Sequence, residues 1–328
     1  MSPLATAGAR PTSAATFAAR EFVAAHRVRA ADLGAALAEH VDDPEGFAVA
    51  LHVAFAALAD PAYIEGEQRI APGLGPVAGV RLPLLEGLAR SFRAATRRAR
   101  PDSLLWLADR LLREQLAEAR LFAIGLLGRT LASDAERTWQ LLRRVARDAG
   151  DWITVDSLAH PVGRGILEEP YRWAELEQLV FSPSRWERRL VGSTLATLPF
   201  IDRSRGRRAE VAARGLDLLG QLIGDDAPEV QKALAWALRS LTLVDAAAVT
   251  AFCRAETERA RADADGARAW VIRDALVKLA PAEADRLRAR LAGIRRRPGA
   301  PSTSRAARMA AAFLVGLPAA VDLAEPPL

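Results

Sequence analysis

The chain holds one cysteine, four histidines, two tyrosines and only two lysines, Lys232 and Lys278, in 328 residues. A lone Cys253 cannot close an internal disulfide, and four histidines form no cluster with metal-ligand spacing. A reducing compartment, no structural zinc and no cofactor are therefore expected. Aromatics make up only 6% of the sequence, while Ala, Leu, Arg and Glu fill most of it. Those side chains lose little rotamer freedom in a helix, so the fold class expected is all-α. The first fifteen residues lack the apolar core of a signal peptide. The best apolar run near the end, 309–321, is too short to span a bilayer, so no membrane span is expected.

What is present fits a globular protein with a sizeable core: 51% of residues are hydrophobic and 26% charged. Arginine dominates the 45 basic residues, and the formal net charge is +5. Guanidinium forks pair bidentately with phosphate oxygens, so this balance is compatible with nucleic acid, although so modest a charge does not establish it.

Residues 1–15 read as a disordered tail. Beyond them apolar residues recur at three- and four-residue spacing, as amphipathic helices require. Asp-Pro at 60–61, the Gly/Pro stretch 71–79, Arg-Pro at 100–101, Gly150 and prolines 161, 170, 183, 199 and 228 read as breakers. The segments between them pair as 101–115 with 116–131, 133–149 with 151–166, 171–181 with 184–198, 207–223 with 227–242, and 245–262 with 265–279. Successive pairs begin 32 to 38 residues apart, close to the period of two-helix units that stack into a solenoid. The architecture expected is an α-solenoid of HEAT-like pairs over 16–297, a curved superhelix with a concave basic face. A linker and a capping helix are expected over 298–328. An irregular helical bundle is the alternative.

Three segments could carry chemistry. In the 148–159 stretch, Asp151 can cap a helix, which puts Trp152 and Asp156 four residues apart on one face. An indole beside a carboxylate suits the stabilisation of a cationic sugar as a glycosidic bond breaks, although a core Trp with a solvated Asp is the commoner meaning of this spacing. The 182–191 and 229–239 runs each open a helix that pairs an aromatic with basic residues. Equivalent helices of successive repeats would bring Trp152, Asp156, Arg189 and Trp236 to one surface.

The sequence resembles the DNA alkylation repair enzymes of the AlkD type. The resemblance is carried by D-W-x-x-V-D-S-L-A at 151–159, S-x-x-x-W-x-x-R at 182–189 and V-Q-K-A-x-x-W-x-L-R at 230–239. Gly79-Val80 with Pro83 and Leu85 adds a weaker match. It implies a HEAT-like superhelix that binds duplex DNA and excises cationic N-alkylated purines such as 3-methyladenine and 7-methylguanine. Residue by residue it implies Asp156 as the catalytic aspartate, Trp152 and Trp236 as the tryptophans at the lesion nucleotide's backbone and sugar, and Arg189 at the DNA backbone, with Arg188 as its rival. Trp186 and Gln231 match the motifs as packing residues. Arg188, Lys232, Arg239, Arg203, Arg205, Arg207 and Arg208 are the expected DNA-binding set. Duplex DNA is the expected partner of a cytoplasmic, nucleoid-associated monomer.

The chain departs from the family pattern in three places: 104–129 is less alike, the arginine-rich 202–214 adds length, and the first 60 residues match nothing. Other candidate sites fail. The glycines at 163 and 165 after His160 have no preceding strand, and the 73–79 stretch lacks the Lys-Ser/Thr of a phosphate loop. Cys253 has no histidine partner and reads as a small core residue. The competing reading of the whole chain is a non-catalytic HEAT-repeat scaffold that binds DNA or a protein.

Overall fold

Six of the described helices and 3₁₀ turns start on a proline whose missing N–H would be unpaired there anyway, and several others start on a carboxylate or hydroxyl cap. Pro61, Pro101 and Pro228, which read as breakers, are helix starters, each in the first helical position. The computed structural model describes residues 14–71 and 73–315, so residues 1–13 of the expected tail lie outside the described residues. Among those described there are sixteen α-helices, and the only β feature is an isolated bridge between Ala59 and Val80.

The helices gather into two compact units, one ending at Leu126 and one beginning at Leu127. The first holds α1 (Ala14–Ala36), α2 (Pro44–Leu58), α3 (Pro61–Ile70), α4 (Leu82–Ala95) and α5 (Pro101–Leu111). It also holds most of α6 (Ala117–Thr130). Its core centres on Phe47, Phe92 and Phe122, whose ring centroids lie 5.2 to 5.8 Å apart. The Gly79-Val80 segment is fixed by Glu118, a buried carboxylate that accepts from the backbone N–H groups of Ala78, Gly79 and Val80 at 2.8 to 3.1 Å.

In the second unit the expected pairs appear as α7 (Ala135–Asp148) with α8 (Trp152–Glu168) and α9 (Trp173–Leu179) with α10 (Arg185–Ile201). They continue as α11 (Ala209–Leu222) with α12 (Pro228–Leu241) and α13 (Ala246–Ala262) with α14 (Gly266–Ala275). The second helices of successive pairs pack side by side, α8 on α10, α10 on α12 and α12 on α14, in the stacking of an all-α solenoid. Contacts advance in step along neighbouring helices. Ser193 meets Asp156 and Thr197 meets the Ala159 carbonyl, while Arg189 meets the Glu229 carbonyl. These helices therefore run parallel. Gly192 makes the closest approach: a Cβ there would stand 2.8 Å from the Ala233 backbone, so only glycine lets α10 and α12 come this near.

Two prolines do not break their helices as the sequence reading expected. Pro161 lies inside α8 and Pro199 inside α10, both buried. Packing on several sides holds these helices together despite one missing N–H each, and Gly163 and Gly165, next along α8, are the close-packing points against Ile201 and Trp139.

After α15 (Pro281–Arg290) the chain turns back instead of continuing the stack. Arg273 donates to the carbonyls of Leu291 and Ile294 at 3.0 and 2.8 Å. The backbone of Arg295 and Arg296 lies directly on Gly266, and Thr303 N–H donates to the Gly224 carbonyl at 2.9 Å. Thr303 Oγ1 also bonds Asp265, within a buried cluster of Asp265, Arg268 and Glu256. α16 (Arg305–Val315) then packs on α11.

Candidate active site

Asp151 is nearly fully buried and starts α8. Its Oδ1 accepts Thr154 N–H at 2.8 Å and its Oδ2 accepts the Thr154 hydroxyl at 2.7 Å. That cap makes Trp152 the first residue of the helix and places Asp156 one turn later, about 6 Å along the axis. Both are partly exposed, as their four-residue spacing requires of a single face.

Asp156 is held from α10. Arg189 donates Nε to Oδ1 at 3.0 Å and Nη2 to Oδ2 at 2.7 Å, the bidentate fork that only arginine supplies, and Ser193 Oγ donates to Oδ1 at 2.6 Å. A carboxylate offers about four lone-pair sites, so one on Oδ2 stays open. The Asp156 side chain is 22% exposed while that of Arg189 is 7% exposed. Arg189 Nη1 also donates to the Glu229 carbonyl at 2.6 Å, which ties α8, α10 and the start of α12 together through one guanidinium. The resemblance gave Arg189 a place at the DNA backbone. In the fold its guanidinium is buried, with three bonded N–H groups, two of them on Asp156.

After the exposed Pro228 that opens α12, its least buried positions, Glu229, Lys232, Trp236 and Arg239, recur at three- and four-residue spacing and form that helix's open stripe, while Ala233 and Leu234 face α10. Lys232 is exposed and carries no ion pair among the described residues, and Arg239 pairs with Asp274 of α14. Gln231 packs as expected: it is buried, with Nε2 on the Asp225 carbonyl at 2.6 Å. Trp186 is partly exposed beneath the Arg185 guanidinium, 5.0 Å from its ring centre. Glu229 Oε2 is buried without a hydrogen-bond partner among the described residues.

The other expected DNA contacts do not gather here. Arg188 is paired with the buried Asp225 at 2.7 Å and also donates to the carbonyls of Ser182 and Pro183. Arg203, Arg205, Arg207 and Arg208 follow the far end of α10, about 18 Å along its axis from Arg189. Arg205 faces Asp202 at 3.7 Å and Arg207 donates to the Pro199 carbonyl at 3.0 Å, whereas Arg203 and Arg208 are exposed without an ion pair. Sequence reading missed Ser193 and Glu229. The signal for Ser193 was its place one turn after Arg189, on the same face of α10.

The model of one family, described as DNA alkylation repair enzyme, matches residues 51–279, which include the Asp156 site and every helix that builds it. The chain belongs to the DNA alkylation repair enzyme family. Its role is accordingly in DNA repair. A search of curated proteins gives no match. For this repair enzyme, no group of His, Cys, Asp and Glu among the described residues could hold a metal ion, and no described helix is long and apolar enough to cross a membrane.

Proposed function

We propose that this repair enzyme is a DNA N-glycosylase that releases cationic N-alkylated purines such as 3-methyladenine and 7-methylguanine from duplex DNA. The observation that carries the reading is Asp156: an accessible carboxylate, fixed by three hydrogen bonds, one helical turn from an accessible indole. An alkylated purine already bears positive charge and leaves with the electron pair of the glycosidic bond, so no strong acid need protonate it. Water then adds to the sugar carbon and gives up a proton, leaving an abasic site. The protein's part is to oppose the charge that grows on the deoxyribose and to position that water. Trp152 offers its ring face to the cationic sugar, and the open site on Asp156 Oδ2 accepts from the water. The Arg189 charge weakens the field of Asp156, and in exchange the carboxylate is oriented before the lesion arrives.

Release of free 7-methylguanine and 3-methyladenine from methylated duplex DNA tests this directly. Asp156→Asn should lower the single-turnover rate by about a hundredfold, near the lower bound for losing one preorganised electrostatic group. A purely structural clamp between α8 and α10 predicts otherwise. On that reading the variant melts earlier yet releases base at the wild-type rate when assayed below its melting temperature.

A further inference from the structure

Around Asp156 most cations are already committed to carboxylates or carbonyls, which leaves Lys232 as the unpaired one on the α12 stripe. Three more stand at the same end of the unit. Arg295, Arg296 and Arg297 are exposed, consecutive and without an ion pair among the described residues. They are not on a loose tether. Arg296 stacks 5.0 Å above the Trp270 ring of α14 and donates to Gln231 Oε1 of α12 at 2.8 Å. Gln231 is next to Lys232 in the first turn of α12, the turn whose Glu229 carbonyl Arg189 grips, so the stacked guanidinium bonds the same end of that helix. Behind it, Gly266 admits the Arg295 backbone at a distance no side chain would allow, and Arg273 clamps the 291–294 carbonyls.

Gathering like charges is unfavourable unless a counter-charge arrives. Arg273 feels this: burial first, then the Arg295 charge, lowers its pKa. Among the described residues no carboxylate supplies the counter-charge to residues 295–297. We infer that the returning 294–297 strap is a phosphate-binding rail, on which Arg295, Arg296 and Arg297 contact the backbone of the duplex that the Asp156 site acts on. The inference rests on the glycosylase reading for its ligand. The strap lies beyond the family match, which ends at residue 279. Guanidinium forks on a fixed backbone suit successive phosphate oxygens, and Arg296, one face stacked on indole, keeps N–H groups free at its edge.

The test is binding of the full chain to an undamaged duplex across a salt series. Arg295→Gln with Arg297→Gln removes two exposed charges and no recorded hydrogen bond, and should reduce the slope of log affinity against log salt by about two. Gly266→Ala keeps every charge but puts a methyl within 2.1 Å of the Arg295 carbonyl, so the strap must shift; its slope should fall as well. A slope unchanged in both variants, with melting temperatures showing them folded, overturns the rail. A wild-type chain that binds duplex steeply but releases no alkylated base sinks the glycosylase reading and leaves the rail standing, whereas failure to bind duplex at all removes both.

Discussion

Asp156 draws all three of its side-chain hydrogen bonds from α10, so each partner can be altered without touching α8. Asn at 156 turns one acceptor into a donor facing the Arg189 fork and leaves a buried guanidinium without its counter-charge. The variant should therefore lose about 3 kcal/mol of stability as well as its rate, read from denaturant melts beside the kinetics. Arg189→Lys keeps the charge but replaces a planar fork with a point donor that cannot serve both oxygens and the Glu229 carbonyl. Base release should slow by about tenfold, equivalent to about 1.4 kcal/mol, with duplex affinity little altered. Loss of affinity without loss of rate would instead return Arg189 to the phosphate role that the resemblance implied. Far from the site, Cys253 is buried, and its thiol pKa is pushed up to about 12, by burial first and then by the Glu256 charge. A maleimide at about pH 8 should leave the folded protein unlabelled and label it on denaturation. At this scale the sequence revealed what helical spacing reveals. Trp152 and Asp156 could be paired because four residues of one helix separate them, whereas the Asp156–Arg189 fork spans 33 residues and depends on which helices stack.

Helix α10 is the element on which the site depends, because it supplies both partners of Asp156 and meets α12 through Gly192. Gly192→Ala forces the two backbones apart. It should cost about 2 kcal/mol as overpacking, with a drop in base release as the Arg189 contact to α12 lengthens; thermal melts and single-turnover assays on one preparation would show both. An unaffected rate would mean that the Arg189 contact to α12 is dispensable. Helix boundaries were largely legible because apolar period and cap chemistry agree, as at Asp151, Ser184, Asp245 and Asp265. Pro161 and Pro199 misled for a definite reason. Local chemistry counts the lost N–H, and only the packed neighbours show that the helix survives it. The strap was illegible for the opposite reason: an arginine run followed by Pro-Gly has the composition of a linker, and nothing local announces that its backbone docks on Gly266.

Over the whole molecule, net charge says little about which cations are free. The +5 total conceals many arginines that are paired within the fold, such as Arg188 with Asp225 and Arg172 with Glu136 and Glu169. The C-terminal region is equally poorly described by its composition. The 291–304 segment and α16 touch Gly224, Asp265 and α11, so removing everything after Leu279 should uncover part of that unit. Lower melting temperature and a broader transition in calorimetry are the expected result, and an unchanged melt would show that the segment adds nothing to stability.

The parallel run of α8, α10 and α12 has one more consequence. In an up-and-down bundle neighbouring peptide dipoles oppose and cancel; here the intervening return helices lie in another layer, so the fields of side-by-side helices add. Each amino-terminal end carries the equivalent of about half a positive charge, confined to its first turn. Trp152, Glu229 and the Glu229 carbonyl that Arg189 grips all lie within such turns. The direction in which the chain travels thus sets the sign of the backbone field at this end of the three helices, before any side chain is chosen.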